Sequence, residues 1–117
     1  MIKLMRCLKR RDDISVEDFR RFWSDHEYRM MLEKLAELSE AISHTRSLTL
    51  QIDINKELAD LHGTLEPYDG VIEICWKNAQ TLTVLRESAN GLQAADDLLA
   101  FEDQFIDRSG SRYFFTE

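Results

Sequence analysis

Between Ile42 and Ile54 apolar and polar side chains alternate almost without a break. Ile42, His44, Arg46, Leu48, Leu50, Ile52 and Ile54 project to one side, and Ser43, Thr45, Ser47, Thr49, Gln51 and Asp53 to the other. A two-residue period is the signature of a strand with one buried face, because successive Cβ atoms point to opposite sides of a sheet. The run is longer than the usual strand of about five or six residues. Its far end is therefore expected to pair outside the monomer.

The flanking sequence is organised around this strand. Ile2 to Lys9 reads as a first strand, with Ile2, Leu4, Arg6 and Leu8 on one face and Lys3, Met5, Cys7 and Lys9 on the other. Ser15 followed by Asp18 resembles a capping box and starts a helix at Val16. Phe19, Phe22, Trp23, His26 and Met30 lie on one arc of that helix, whereas Met31, Leu32, Leu35 and Leu38 fall on another side. The helix is thus expected to bend near Arg29–Met31, or to bury a second face against a partner subunit. Asn55 to Leu65 reads as a connector with a helical turn at Lys56–Leu61, and Pro67-Tyr-Asp-Gly70 as a turn in which glycine permits φ > 0. Val71 to Trp76 is a strand. Asn78 caps a helix from Ala79, which Asn90-Gly91 interrupts before a second piece from Leu92 to Phe105. Ser109-Gly110-Ser111 is expected to turn into a last strand, Arg112 to Thr116.

The order β-α-β-β-α-β predicts an α+β, ferredoxin-like domain with a four-stranded antiparallel sheet and both helices on one face. The other face then needs water or a second sheet, and its mixed character favours a second sheet. With 117 residues the whole chain, 1–117, is expected to form one domain.

Charge narrows the function classes. The net charge of −7 argues against nucleic acid as partner. The bases nevertheless cluster early, as Lys3, Arg6, Lys9, Arg10 and Arg11. Only Arg6 shares a strand face with Ile2, Leu4 and Leu8, so it alone of the five has a case for a site. No run of apolar residues is long enough to span a membrane, and no signal peptide is recognised at the N-terminus. Cys7 and Cys75 read as two buried free thiols in a reducing compartment, so a cytoplasmic location is expected.

No phosphate loop, Cys-x-x-Cys, His-Glu-x-x-His or nucleophile-elbow motif is present. His26, His44 and His62 fall on a helix, a strand and a loop, without metal-ligand spacing. No metal and no cofactor are expected. His26, inside the apolar arc, is either a core or interface histidine or a general acid/base facing a pocket. Arg46 shares its face with His44 and needs a partner. Either Glu73 on the neighbouring strand supplies one, or His44, Arg46 and Arg6 form the polar end of an apolar pocket. Trp23, Trp76 and Tyr113 read as core or as pocket walls. The acid pairs Asp12-Asp13, Asp96-Asp97 and Glu102-Asp103 read as solvated.

Several segments carry a family resemblance. Met1-Ile-Lys-Leu4 opens a strand that ends in Lys9-Arg10-Arg11. Ser15-Val-Glu-Asp-Phe-Arg-Arg-Phe-Trp23 is followed by His26. Later come Pro67-Tyr-Asp-Gly-Val-Ile-Glu73 and Glu102-Asp-Gln-Phe-Ile-Asp107. In this order and spacing they resemble the EthD family, named after an accessory protein of ethyl tert-butyl ether degradation. The resemblance implies a homodimeric α+β barrel, in a superfamily shared with cofactor-free monooxygenases and muconolactone isomerase. Related domains act as dehydratases, cyclases or decarboxylases on aromatic polyketides. His26 corresponds to the family's first-helix histidine, and His44 lies near its second-strand histidine. The proline that usually breaks the family's helix after that histidine is missing here.

Three readings of function follow. One is a barrel that binds a small apolar or aromatic oxygenated molecule and transfers protons without a cofactor, by dehydration, isomerisation or decarboxylation. In it His26 carries the proton, Arg6, His44 or Arg46 holds developing negative charge, and Trp23, Trp76 and Tyr113 form walls. The second is a non-enzymatic accessory protein of a degradation pathway. The third is a monooxygenase-like or heme-handling relative.

Overall fold

The computed structural model describes residues 1–117, the side chain of Val84 excepted. Four strands form the sheet: β1 (Ile2–Arg10), β2 (Ser43–Leu48), β3 (Gly70–Trp76) and β4 (Ile106–Thr116). They lie in the order β2-β3-β1-β4, with all neighbours antiparallel. Five helices connect them: α1 (Val16–Trp23), α2 (His26–Leu38), α3 (Asp53–His62), α4 (Gln80–Glu87) and α5 (Ala89–Glu102). This is the ferredoxin-like arrangement expected from the element order.

Register sorts the strand side chains into two faces. Leu4, Arg6 and Leu8 stand beside Ile74, Ile72 and Gly70 on one flank, and Leu4 and Arg6 beside Phe115 and Tyr113 on the other. Leu8, Ile72, Ile74 and Trp76 from this face join Phe19, Trp23, Tyr28, Leu32, Leu98 and Phe105 in the core. Met5, Cys7, Val71, Glu73, Cys75 and Phe114 occupy the opposite face. Both cysteines are free, but only Cys75 is fully buried; Cys7 is half-buried.

Five sequence expectations are corrected. The first helix breaks at Ser24–Asp25, not near Arg29–Met31. Asp25 does the work of the missing proline, its side chain accepting the Glu27 N–H (2.7 Å) to cap α2. The break resets the helical phase, so Tyr28, Leu32 and Ala36 face the core. His26, projected inward from the phase of α1, is instead an exposed first residue of α2.

Strand β2 stops at Leu48, opposite Gly70 where β3 begins, and no neighbouring strand continues beyond it. A strand without a partner leaves its backbone groups unpaired. Asp53–His62 satisfies them internally as helix α3, closed by Gly63 at φ 64°. The alternation from Leu50 to Ile54 therefore does not continue the strand.

Strand β4 begins at Ile106, so Ser109-Gly110-Ser111 lies within it. The segment is an irregularity in the β1–β4 register between Cys7 and Lys9. The Ser111 hydroxyl bridges it, accepting from the Lys9 N–H (2.9 Å) and donating to the Asp107 carbonyl (2.7 Å). Gly70 serves space rather than φ: a Cβ there would sit 2.5 Å from the Trp23 ring.

Candidate functional site

The most unusual chemistry of the core is a buried charge. Gly91, Ala94, Leu98 and Glu102 form the buried stripe of α5. Position 102 therefore faces inward although it carries a carboxylate, and Glu102 is only 1 % exposed. The reading of Glu102-Asp103 as a solvated pair holds for Asp103 alone. Glu102 accepts from Arg6 Nη2 through Oε1 (2.5 Å) and from the Tyr28 hydroxyl through Oε2 (2.6 Å). Removing charges from water costs several kcal/mol per ion, so each carboxylate oxygen needs its own donor.

These contacts set the proton affinities. Burial alone would lower the Arg6 value, but the charge and hydrogen bond of Glu102 outweigh it, and Arg6 holds its proton more tightly than usual. Burial, followed by the Glu102 charge, pushes the Tyr28 hydroxyl far above the ordinary phenol range. Tyr28 thus remains a donor wherever Glu102 is ionised.

Beside this pair lies a cleft of ≈ 310 Å³ between the sheet and helices α2 and α5. Leu4 and Ile74 form its floor, Leu35 one wall, and Ala95, Leu98 and Leu99 another. Arg6, Arg108 and Tyr113 also line it, but the surface they show to the cleft is almost wholly apolar. Arg108 is held bidentately by Asp103 (2.7 and 2.6 Å from Nη2, 3.0 Å from Nε). The Tyr113 ring covers the Arg6 guanidinium, with 5.4 Å from Cζ to the ring centroid. Burial raises the Tyr113 hydroxyl above its usual value.

Of the residues singled out in the sequence, Arg6 and Tyr113 meet at this cleft. The others are placed elsewhere. Exposed His26 has Nδ1 3.1 Å from Arg29 Nη2. His44 is exposed on the edge strand β2. Arg46 donates to the Trp23 carbonyl at the end of α1 and lies over the Trp23 and Tyr28 rings at 5.0 and 5.2 Å. Its expected partner Glu73 stands opposite Thr45, on the other sheet face, and pairs instead with Lys3 (3.6 Å). Trp23 is core, stacked on Phe19. Trp76 is core as well, its indole N–H donating to the Ser39 hydroxyl (2.9 Å).

Sequence reasoning missed Glu102 and Tyr28. Glu102 had a readable signal, since it continues the four-residue spacing of Ala94 and Leu98. Tyr28 was hidden by the helix break.

Three comparisons with known proteins bear on this architecture. The family model of the EthD domain matches residues 11–109. No functionally curated protein matches. Among solved structures, the chain is similar to a dimeric protein of unknown function and ferredoxin-like fold from Bacteroides fragilis. That likeness has a TM-score of 0.62 at 14% identity, over 99% of this chain and 94% of the other.

Proposed function

The chain belongs to the EthD family, and from that premise we propose that it binds a small apolar or aromatic oxygenated molecule in the cleft between Leu35, Leu98 and Tyr113. One observation carries this reading: a cleft of ≈ 310 Å³ has an almost wholly apolar surface, with Arg6, Arg108 and Tyr113 at its border. That is the usual composition of a small-molecule site, at the lower end of the usual size range of about 300–1,000 Å³. Arg6 and Tyr113 are its ligand contacts.

The polar groups of the cleft favour binding over proton transfer. Two guanidiniums and a phenol can donate hydrogen bonds, but none titrates near neutral pH. His26, the proton carrier implied by the family resemblance, lies on the surface beside Arg29. An accessory role in catabolism or secondary metabolism, holding a metabolite without converting it, is therefore the preferred form of this proposal.

The working form is a homodimer. Phe114 is about half exposed on the sheet face away from the core, beside Met5 in the register. A second sheet facing it, as in an α+β barrel, would cover this surface. The solved relative from Bacteroides fragilis is itself dimeric.

Titration with a small bicyclic aromatic compound, followed by calorimetry, tests the site. Saturable binding of one molecule per subunit is expected. Leu99→Trp, which fills the cleft, should abolish it with little change in melting temperature. Binding that survives Leu99→Trp would place the ligand elsewhere.

A further inference from the structure

The donors of the cleft are individually neutralised. Arg6 is matched by Glu102 at 2.5 Å, and Arg108 by Asp103 at 2.6 Å. The guanidiniums that border the cleft therefore bring no net positive charge to it, and their N–H groups lie beneath its apolar surface. One of them is unspent: Arg6 Nη1 is buried and has no hydrogen-bond partner among the described residues. Arg6 itself is 5 % exposed. A buried guanidinium nitrogen without an acceptor costs about 1–3 kcal/mol or more, and an incoming oxygen atom would recover that cost.

We propose that this cleft selects molecules carrying a neutral carbonyl oxygen, ketone or ester, which accepts from Arg6 Nη1 while the hydrocarbon body lies against Leu35, Ile74, Leu98 and Leu99. The inference rests on the ligand-binding reading above and sharpens it. A carbonyl satisfies one N–H and brings no charge to be desolvated. A carboxylate has its own hydration to lose, and Glu102 already offsets the cation that would repay it. Tyr113, 40 % exposed and lying over the guanidinium, is the group that turns to admit the oxygen. The space would hold on the order of ten waters at about 30 Å³ each, which suits a molecule of one or two rings.

Three probes of one shape separate the possibilities: indane, 1-indanone and indane-1-carboxylate, titrated into the full chain. The ketone should bind at least about tenfold more tightly than indane, the scale of one hydrogen bond to a charged group. The carboxylate should bind no better than indane. Its carbonyl stretch should move to lower wavenumber in the bound ketone. Arg6→Lys keeps the charge opposite Glu102 but removes the second nitrogen. It should erase both the preference for the ketone over indane and the infrared shift. Should Arg6→Lys fail to fold, the paired replacement Arg6→Met with Glu102→Met removes the ion pair as a unit and should give the same loss.

Equal binding of indane and 1-indanone would overturn the carbonyl proposal while leaving the apolar cleft as a ligand site. Tightest binding of the carboxylate would overturn it in favour of an anion site. Absence of binding by all three would remove the ligand reading and this inference with it.

Discussion

The helix α5 and the helix α3 invite comparison, because both mix leucines with acids and resolve them in opposite ways. On α5 the buried stripe runs through Ala94 and Leu98 to Glu102, and the acid is drawn into the core by Arg6 and Tyr28. On α3 no residue is buried, and Leu61, 77 % exposed, stays on the surface with the flanking Leu65, 92 % exposed. Burial is thus decided by which surface an element meets, not by how apolar it is. Helix α5 packs on α2 above β1. Helix α3 leaves the sheet where β2 runs out of neighbours.

The largest test of this contrast is Glu102→Ala. It leaves the Arg6 guanidinium buried without its carboxylate, so a loss of about 3–5 kcal/mol is expected in chemical denaturation. A loss below about 1 kcal/mol, typical of surface pairs, would place Glu102 in solvent and end the contrast.

Gly70→Ala probes the packing beneath α1. Its Cβ would lie 2.5 Å from the Trp23 ring, and overpacking of this kind costs about 1–3 kcal/mol. Thermal unfolding of the variant measures the cost; an unchanged melting temperature would show that Trp23 yields freely.

Tyr28 adds a pH dependence. Burial, then the Glu102 charge, raises its folded value above the ordinary 10.0. The folded chain therefore keeps a proton that the unfolded chain releases. This contribution is fully present below pH 10 and declines above it, by up to about 1.4 kcal/mol per pH unit. Denaturation curves at several alkaline pH values should show the decline in the native chain. Tyr28→Phe should flatten it, and should also cost about 1–3 kcal/mol at neutral pH by leaving Glu102 Oε2 unpartnered.

The smallest effect on stability belongs to α3. Leu61→Glu should change the stability of a single copy by less than about 0.5 kcal/mol, as for other surface positions. Light scattering of the same variant sharpens the contrast. If α3 lies outside the dimer contact, the mass is unchanged; if a second copy covers it, the variant falls to a monomer. Phe114→Arg, on the open sheet face, should give a monomer in either case.

Much of the fold was legible because the elements carry local signals. Ser43 to Leu48 belongs to an alternating run, Ile2 to Lys9 and Val71 to Trp76 are short apolar-rich runs, and the cap signals at Ser15 and Asn78 stand where helices begin. The candidate site was only half legible. Arg6 stood out as the base sharing a face with Ile2, Leu4 and Leu8, and Tyr113 as an aromatic of the last strand. Glu102 looked like one of a solvated acid pair because a second acid, Asp103, follows it in the sequence. His26 took its apparent orientation from helix α1, whose phase ends at Ser24.

Local patterns in the chain by themselves determined the element order, the faces of the central strands and the acidic surface, since periodicity and capping act over a few residues. Tertiary structure alone decided where β2 ends, which donors meet Glu102, and that Arg46 meets the end of α1 rather than Glu73. Those outcomes depend on partners far along the chain: Glu102 lies beside Arg6 only after β1 and α5 have packed together. A carboxylate becomes a core residue when two donors arrive to replace water, and no local pattern records their arrival.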